Sequence, residues 1–130
     1  MLYEVSGGTK AQRKVVDEAM SFVINYINVG NVYVYINLGR YPSHGVIRIA
    51  SKKFEIEIVK DAPDEEILYT ICHEMKHVEQ IYTKRLVQGN GKSLWLGEDH
   101  TNTIYFDRPW EVEAYQFEKI ADQLLTSRAA

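Results

Sequence analysis

Past the first few residues, apolar side chains recur at three- and four-residue intervals through Val15, Val16, Ala19, Met20, Val23, Ile24 and Ile27. That is the period of a helix with one buried face. Thr9 stands where an N-cap hydroxyl belongs, so a helix is predicted over residues 9–28. Val29-Gly30-Asn31 breaks the period. The run from Val32 through Tyr33, Val34, Tyr35 and Ile36 to Leu38 is β-branched and aromatic, as strands are, and Gly39, Pro42 and Gly45 mark a turn after it. Residues 46–50 and 54–59 read as two more strands. In the second, Phe54, Ile56 and Ile58 alternate with Glu55 and Glu57, the mark of a strand with one wet face.

Asp61-Ala62-Pro63-Asp64 reads as a helix start, with Asp61 as cap and Pro63 in the first turn. It predicts a helix over residues 62–87, closed by Gly89 and Gly91. Residues 93–96 and 103–106 are predicted to pair as a loose hairpin around 97–102. Asp107 as cap and Pro109 in the first turn open a last helix over 108–127, with Val112, Tyr115, Ile120 and Leu124 as its apolar contacts. No repeat or linker interrupts this order. The expected fold class is α+β in one domain spanning residues 1–130. Its predicted order is an N-terminal helix, a small and mostly antiparallel three-stranded sheet, a long helix, a hairpin and a C-terminal helix.

Composition narrows the functions open to such a domain. A chain of 130 residues with 45% hydrophobic and 25% charged side chains can bury one core. Its formal net charge of -3 provides no broad positive field for a phosphate backbone, so nucleic acid is not an expected partner. No stretch is apolar enough to span a bilayer, and the first eight residues lack the basic start and apolar run of a signal peptide, so no membrane partner is expected either. With Cys72 as the single cysteine, no intrachain disulfide can form. A cytoplasmic location is the expectation.

The chemistry lies in His73-Glu74-Met75-Lys76-His77, within the long predicted helix. Residues four apart share a helix face, so His73 and His77 can direct ring nitrogens at one cation about 2 Å away. Glu74 is then beside that cation rather than on it, where a carboxylate can take a proton from a bound water whose pKa zinc lowers toward about 7. Ile71, Met75, Val78 and Tyr82 form a separate stripe suited to the core. The same string also arises by chance as two surface histidines around a glutamate; its position within a periodic helix after a small sheet favours the metal reading. A catalytic zinc needs a third protein ligand, and Glu111, Glu113, Asp99 and His100 are the downstream candidates. Glu111 and Glu113 also suit the start of a helix simply by complementing its dipole.

His73-Glu74-x-x-His77 followed 34 residues later by Glu111-x-x-Ala114 resembles the gluzincin metallopeptidases, in which two helices supply His, His and Glu. The order of elements resembles the minimal zincin core of the minigluzincins. The segments Trp95-Leu96-Gly97 and Pro109-Trp110-Glu111-Val112-Glu113-Ala114 are similar to small phage- and prophage-encoded metallopeptidase-like proteins. The resemblance implies a zincin-like fold and Zn2+ held by His73, His77 and Glu111, with Glu113 as the alternative third ligand. It implies Glu74 as general base in hydrolysis of a peptide or protein substrate. Relatives carry an aspartate where this chain has Tyr115. The Tyr115 hydroxyl is thus a candidate partner for a ligand histidine or an oxyanion, although core packing is its plainer role. Thr83 stands where a metzincin would have a third histidine, which argues against that branch. His100, Tyr105 and Arg108 are further oxyanion candidates, whereas His44 reads as a solvated loop histidine. A substrate strand could add to the sheet edge at residues 53–60 or 46–50. The rival expectation is a zincin-fold protein that binds metal or a partner, in a regulatory role, and cleaves nothing.

Overall fold

The computed structural model describes residues 1–129. Its elements run β1 (Leu2–Gly7), α1 (Lys10–Val23), β2 (Tyr33–Gly39), β3 (Gly45–Ala50), β4 (Lys53–Val59), α2 (Asp64–Tyr82), β5 (Leu86–Gly89), β6 (Lys92–Trp95), β7 (Glu98–Asp99), α3 (Pro109–Phe117) and α4 (Ala121–Ala129). A 3-10 turn at Tyr105–Asp107 precedes α3, and another at Glu118–Ile120 separates α3 from α4. The α+β class is as expected, but the sheet is not a mostly antiparallel three-stranded one. It has four strands in the order β1-β2-β4-β3, with β1 and β4 parallel to β2 and only β3 antiparallel, to β4. β1 was absent from the predicted elements. It pairs across a wide gap in sequence, Leu2 lying opposite Tyr33. With α1 in the connection, β1 and β2 form the crossover that parallel pairing requires.

One sheet face is dry. Val34, Ile36 and Leu38 of β2 and Phe54, Ile56 and Ile58 of β4 are buried, with partly exposed residues between them. Val16, Ala19, Met20 and Val23 of α1 and Ile67, Leu68, Ile71, Met75 and Val78 of α2 join them in a single core. The predicted stripe on α2 is therefore core up to Val78, while Tyr82 is half exposed at the helix end.

Several predicted boundaries move for local reasons. Thr9 caps α1 as expected, its hydroxyl accepting from the Gln12 backbone amide while the Gln12 side-chain oxygen accepts from the Thr9 amide, a capping box. The helix stops at Val23 rather than near residue 28, where the Asn25 side-chain amide donates to the Ser21 and Phe22 carbonyls. Pro63, not Asp61, is the N-cap of α2. That helix ends at Tyr82, where the Thr83 hydroxyl donates to the Glu79 carbonyl and Lys84 takes φ +62°. Gly89 and Gly91 do not close it. Asn90-Gly91, both at positive φ, instead turns β5 into β6, and Leu96-Gly97 does the same between β6 and β7. The predicted pairing of 93–96 with 103–106 is thus replaced by a three-stranded meander, β5-β6-β7. The last helix is interrupted by its 3-10 turn, and its N-cap is Arg108 rather than Asp107.

Candidate metal centre

α2 is buried on two sides. Beside its core stripe, Thr70, His73, Glu74 and His77 form a second face, and α3 lies across it with Trp110, Glu111 and Ala114 buried. Ala114, with no exposure, lets the two helices approach closely. Trp110 anchors the start of α3 between the rings of Trp95 and His100.

Glu111 is thereby carried to the two histidines. His73 Nε2 lies 3.0 Å and His77 Nε2 3.1 Å from Glu111 Oε1, and the two ring nitrogens are 3.2 Å apart. A tetrahedral zinc with bonds of about 2.0–2.1 Å needs ligand atoms about 3.3 Å apart, so this triangle matches one face of such a site. Glu74, His73 and His77 also have donor atoms within 4.8 Å of one another. The nearer Glu74 oxygen is nevertheless 4.0 Å from His73 Nε2, so Glu111 completes the tight set and Glu74 stands alongside it. Glu113 does not reach the histidines; it accepts from Gln80 and Arg85.

The hydrogen bonds behind the rings decide what the triangle presents. His73 Nδ1 faces the Glu118 carboxylate at 3.3 Å, which can only accept, so Nδ1 carries the proton. His77 Nδ1 is 2.8 Å from Gln80 Oε1. The Gln80 amide nitrogen donates to the Trp110 carbonyl and to Glu113, both acceptors, which forces its oxygen toward His77. Both histidines therefore present an Nε2 lone pair to the centre, toward a carboxylate oxygen. Three such atoms within 3.2 Å repel unless a cation lies among them. In the metal-free chain that cation is a proton. Burial pulls His73 down, but hydrogen bonds to Glu111 and Glu118 and the Glu74 charge outweigh it and push the ring up to about 9. His77 moves up as well, with burial again opposed by Glu111. Burial resists ionisation of Glu111 too, yet its bonds to both histidines hold it at about 2. The donor set thus fits a metal ion.

Glu74 has a different environment. Its side chain is about nine-tenths buried, it forms no hydrogen bond among the described residues, and it lines a cleft of about 1120 Å³. Burial raises its pKa against the pull of His77 and His73. Tyr105 and Tyr115 line the same cleft. The Tyr105 hydroxyl donates to Glu111 at 3.2 Å and lies 3.2 Å from that of Tyr115, whose ring meets His73 edge-on. Burial, then the bond with Tyr115 and the Glu111 charge, raise the Tyr105 pKa.

The other candidates lie elsewhere. His100 pairs with Thr103 and Glu98, Asp99 binds Thr101, and Arg108 donates to the Thr103 carbonyl across the faces of Tyr105 and Trp110; they fasten the loop before α3. His44 departs from its expected solvated role. It accepts from the Val59 amide through Nδ1 and lines the cleft. Sequence reasoning also missed Gln80 and Glu118, whose partners are 30 and 45 residues away. The spacing His77-x-x-Gln80, one turn on along the same helix face, was the only local signal for Gln80.

Compared with known proteins, the chain gives no significant match to a family model, a curated protein or a solved structure. No described helix is long and apolar enough to cross a membrane.

Proposed function

We propose that this chain is a zinc-dependent peptidase of the gluzincin type, with His73, His77 and Glu111 holding the metal and Glu74 acting as general base. The observation that carries this reading is the 3.0–3.2 Å triangle of two imidazole nitrogens and one carboxylate oxygen, with both lone pairs turned inward by Glu118 and Gln80. The order of a small sheet, a His-Glu-x-x-His helix and a following glutamate helix supports a zincin-like fold. When bound there, zinc acts as a Lewis acid that makes water acidic enough to lose a proton near neutrality. Glu74, buried, unpartnered and open to the cleft, suits a base that takes this proton and delivers it to the departing amine. The Tyr105 and Tyr115 hydroxyls border the centre and are the candidates for stabilising an oxyanion.

Substrate access has two supports. The cleft, about 1120 Å³, has room for a peptide segment beside the centre. β3 is an edge strand that follows directly on Ser43 and His44 of the cleft wall, so an extended peptide can pair with it; β4, the other candidate, is interior. Metal analysis of chelator-treated and zinc-reloaded protein should give one zinc per chain, falling well below one in Glu111→Gln. Peptide-library cleavage should disappear in Glu74→Gln while zinc stays bound. Stoichiometric zinc without cleavage of any library would favour the binding-only alternative, and failure to bind zinc would remove both.

A further inference from the structure

The cleft beside the metal centre is acidic beyond what the centre requires. Glu65 and Glu66 from the first turn of α2, Glu74, Glu118 and Asp122 all line it, against Lys119 as the one lysine or arginine. The α2 dipole accounts for acids in that helix's first turn. Glu118 also serves His73, and Asp122, in the first turn of α4, converges on the same hollow from the other side. Glu74, nine-tenths buried and with no hydrogen-bond partner among the described residues, opens to the same cleft. The acids are too dispersed for a second metal ion. Among the described residues, the groups close enough for that all contain His73 and His77 of the centre itself. Spread carboxylates suit an extended ligand with several positive charges or one long cationic side chain.

The walls carry the matching apolar surface. Tyr69, Tyr105 and Tyr115 line the cleft, and the Tyr69 hydroxyl donates to Asp122, so an aromatic ring and a carboxylate are presented together. A lysine or arginine side chain lays its alkyl stem on such a ring and its charge beside the carboxylate. Even a bound dication, offset by Glu111, leaves the cleft net negative.

We propose that this cleft selects peptides carrying lysine or arginine beside the bond presented to the centre. The fate of such a peptide rests on the peptidase reading; its binding does not. The test uses the full chain, zinc-free to prevent turnover and then zinc-loaded. Anisotropy is read with labelled dodecapeptides that differ only in having arginine, glutamine or glutamate at three positions. The arginine peptide should bind about tenfold more tightly than the glutamine one, and this advantage should shrink between about 0.05 and about 0.5 M salt. Glu65→Lys with Asp122→Lys should abolish the advantage. Glu65→Lys alone, which breaks no bond, should reduce it. Glu4→Lys with Glu55→Lys, on the far face of the sheet, should leave it intact.

Equal binding of the three peptides, or equal loss from the far-face and cleft variants, would overturn the proposal. Zinc-dependent cleavage of neutral peptides as fast as arginine ones would overturn it while sparing the peptidase reading. An arginine preference in a chain that binds no zinc would do the reverse.

Discussion

Gln80 is fully buried and makes three hydrogen bonds, one to His77 and two to α3. Replacing it with leucine leaves His77 Nδ1–H without an acceptor and frees the ring to turn or change tautomer, so Nε2 is no longer held as a lone pair toward the centre. Zinc affinity in Gln80→Leu should fall about 10- to 100-fold, read by competition with a chromophoric chelator. Cys72 is the opposite kind of residue, a thiol with no exposure. Burial, with the nearby Glu118 charge, pushes its pKa up to about 12. Iodoacetamide should leave it unmodified in the native chain at pH 8 and label it readily in urea; rapid native labelling would contradict its burial. His73, Glu74 and His77 were legible in the sequence because helical periodicity alone gives them a common face. Glu111 became legible through the resemblance. Glu118 and His44 were not, because each takes its role from a partner that only the folded chain brings near, and Gln80 was not because the α3 acceptors that turn its oxygen toward His77 are distant in sequence.

The same division runs through the elements. α1 announced itself by period and its Thr9 cap, α2 by period, and β2 and β4 by alternation, since those signals are local. β1 was hidden because pairing defines it, and the parallel β2-β4 pairing was hidden for the same reason, since β3 crosses over to the outer edge of β4. Gly7 shows how narrowly that pairing is built. It sits at φ +76°, and an added Cβ would lie 2.0 Å from the Leu38 carbonyl oxygen of the neighbouring strand. Gly7→Ala must strain its own backbone and push β1 from β2, costing roughly 2–4 kcal/mol in urea unfolding. Gly45→Ala, with nothing within 4 Å of the new methyl, should change stability by less than about 0.5 kcal/mol. The β5-β6 hairpin was misread for another reason. Its Asn90-Gly91 signal is present, but the glycine equally reads as the stop of a helix that Thr83 and Lys84 have already ended.

At the scale of the molecule, the metal would join two parts with unequal anchorage. The sheet, α1 and α2 share a continuous core, to which the segment from α3 onward contributes one fully buried apolar residue, Ala121, and several partly buried ones. Two of the three candidate ligands sit on the well-anchored α2 and the third on α3. An ion held by all three binds only when α3 is docked, so its binding free energy adds to the docking of α3 as well as to global stability. At a free zinc concentration about 100-fold above Kd the gain is about 2.7 kcal/mol, which for a domain of this size raises Tm by roughly 10 °C relative to protein in EDTA. Glu111→Gln should lose most of that shift, and hydrogen exchange in α3 should slow on zinc addition more than exchange in α1. A Tm unmoved by zinc in wild-type protein would mean that the triangle of donors is held by protons alone. The inward-facing lone pairs of His73 and His77 would then serve the packing of α3 rather than catalysis.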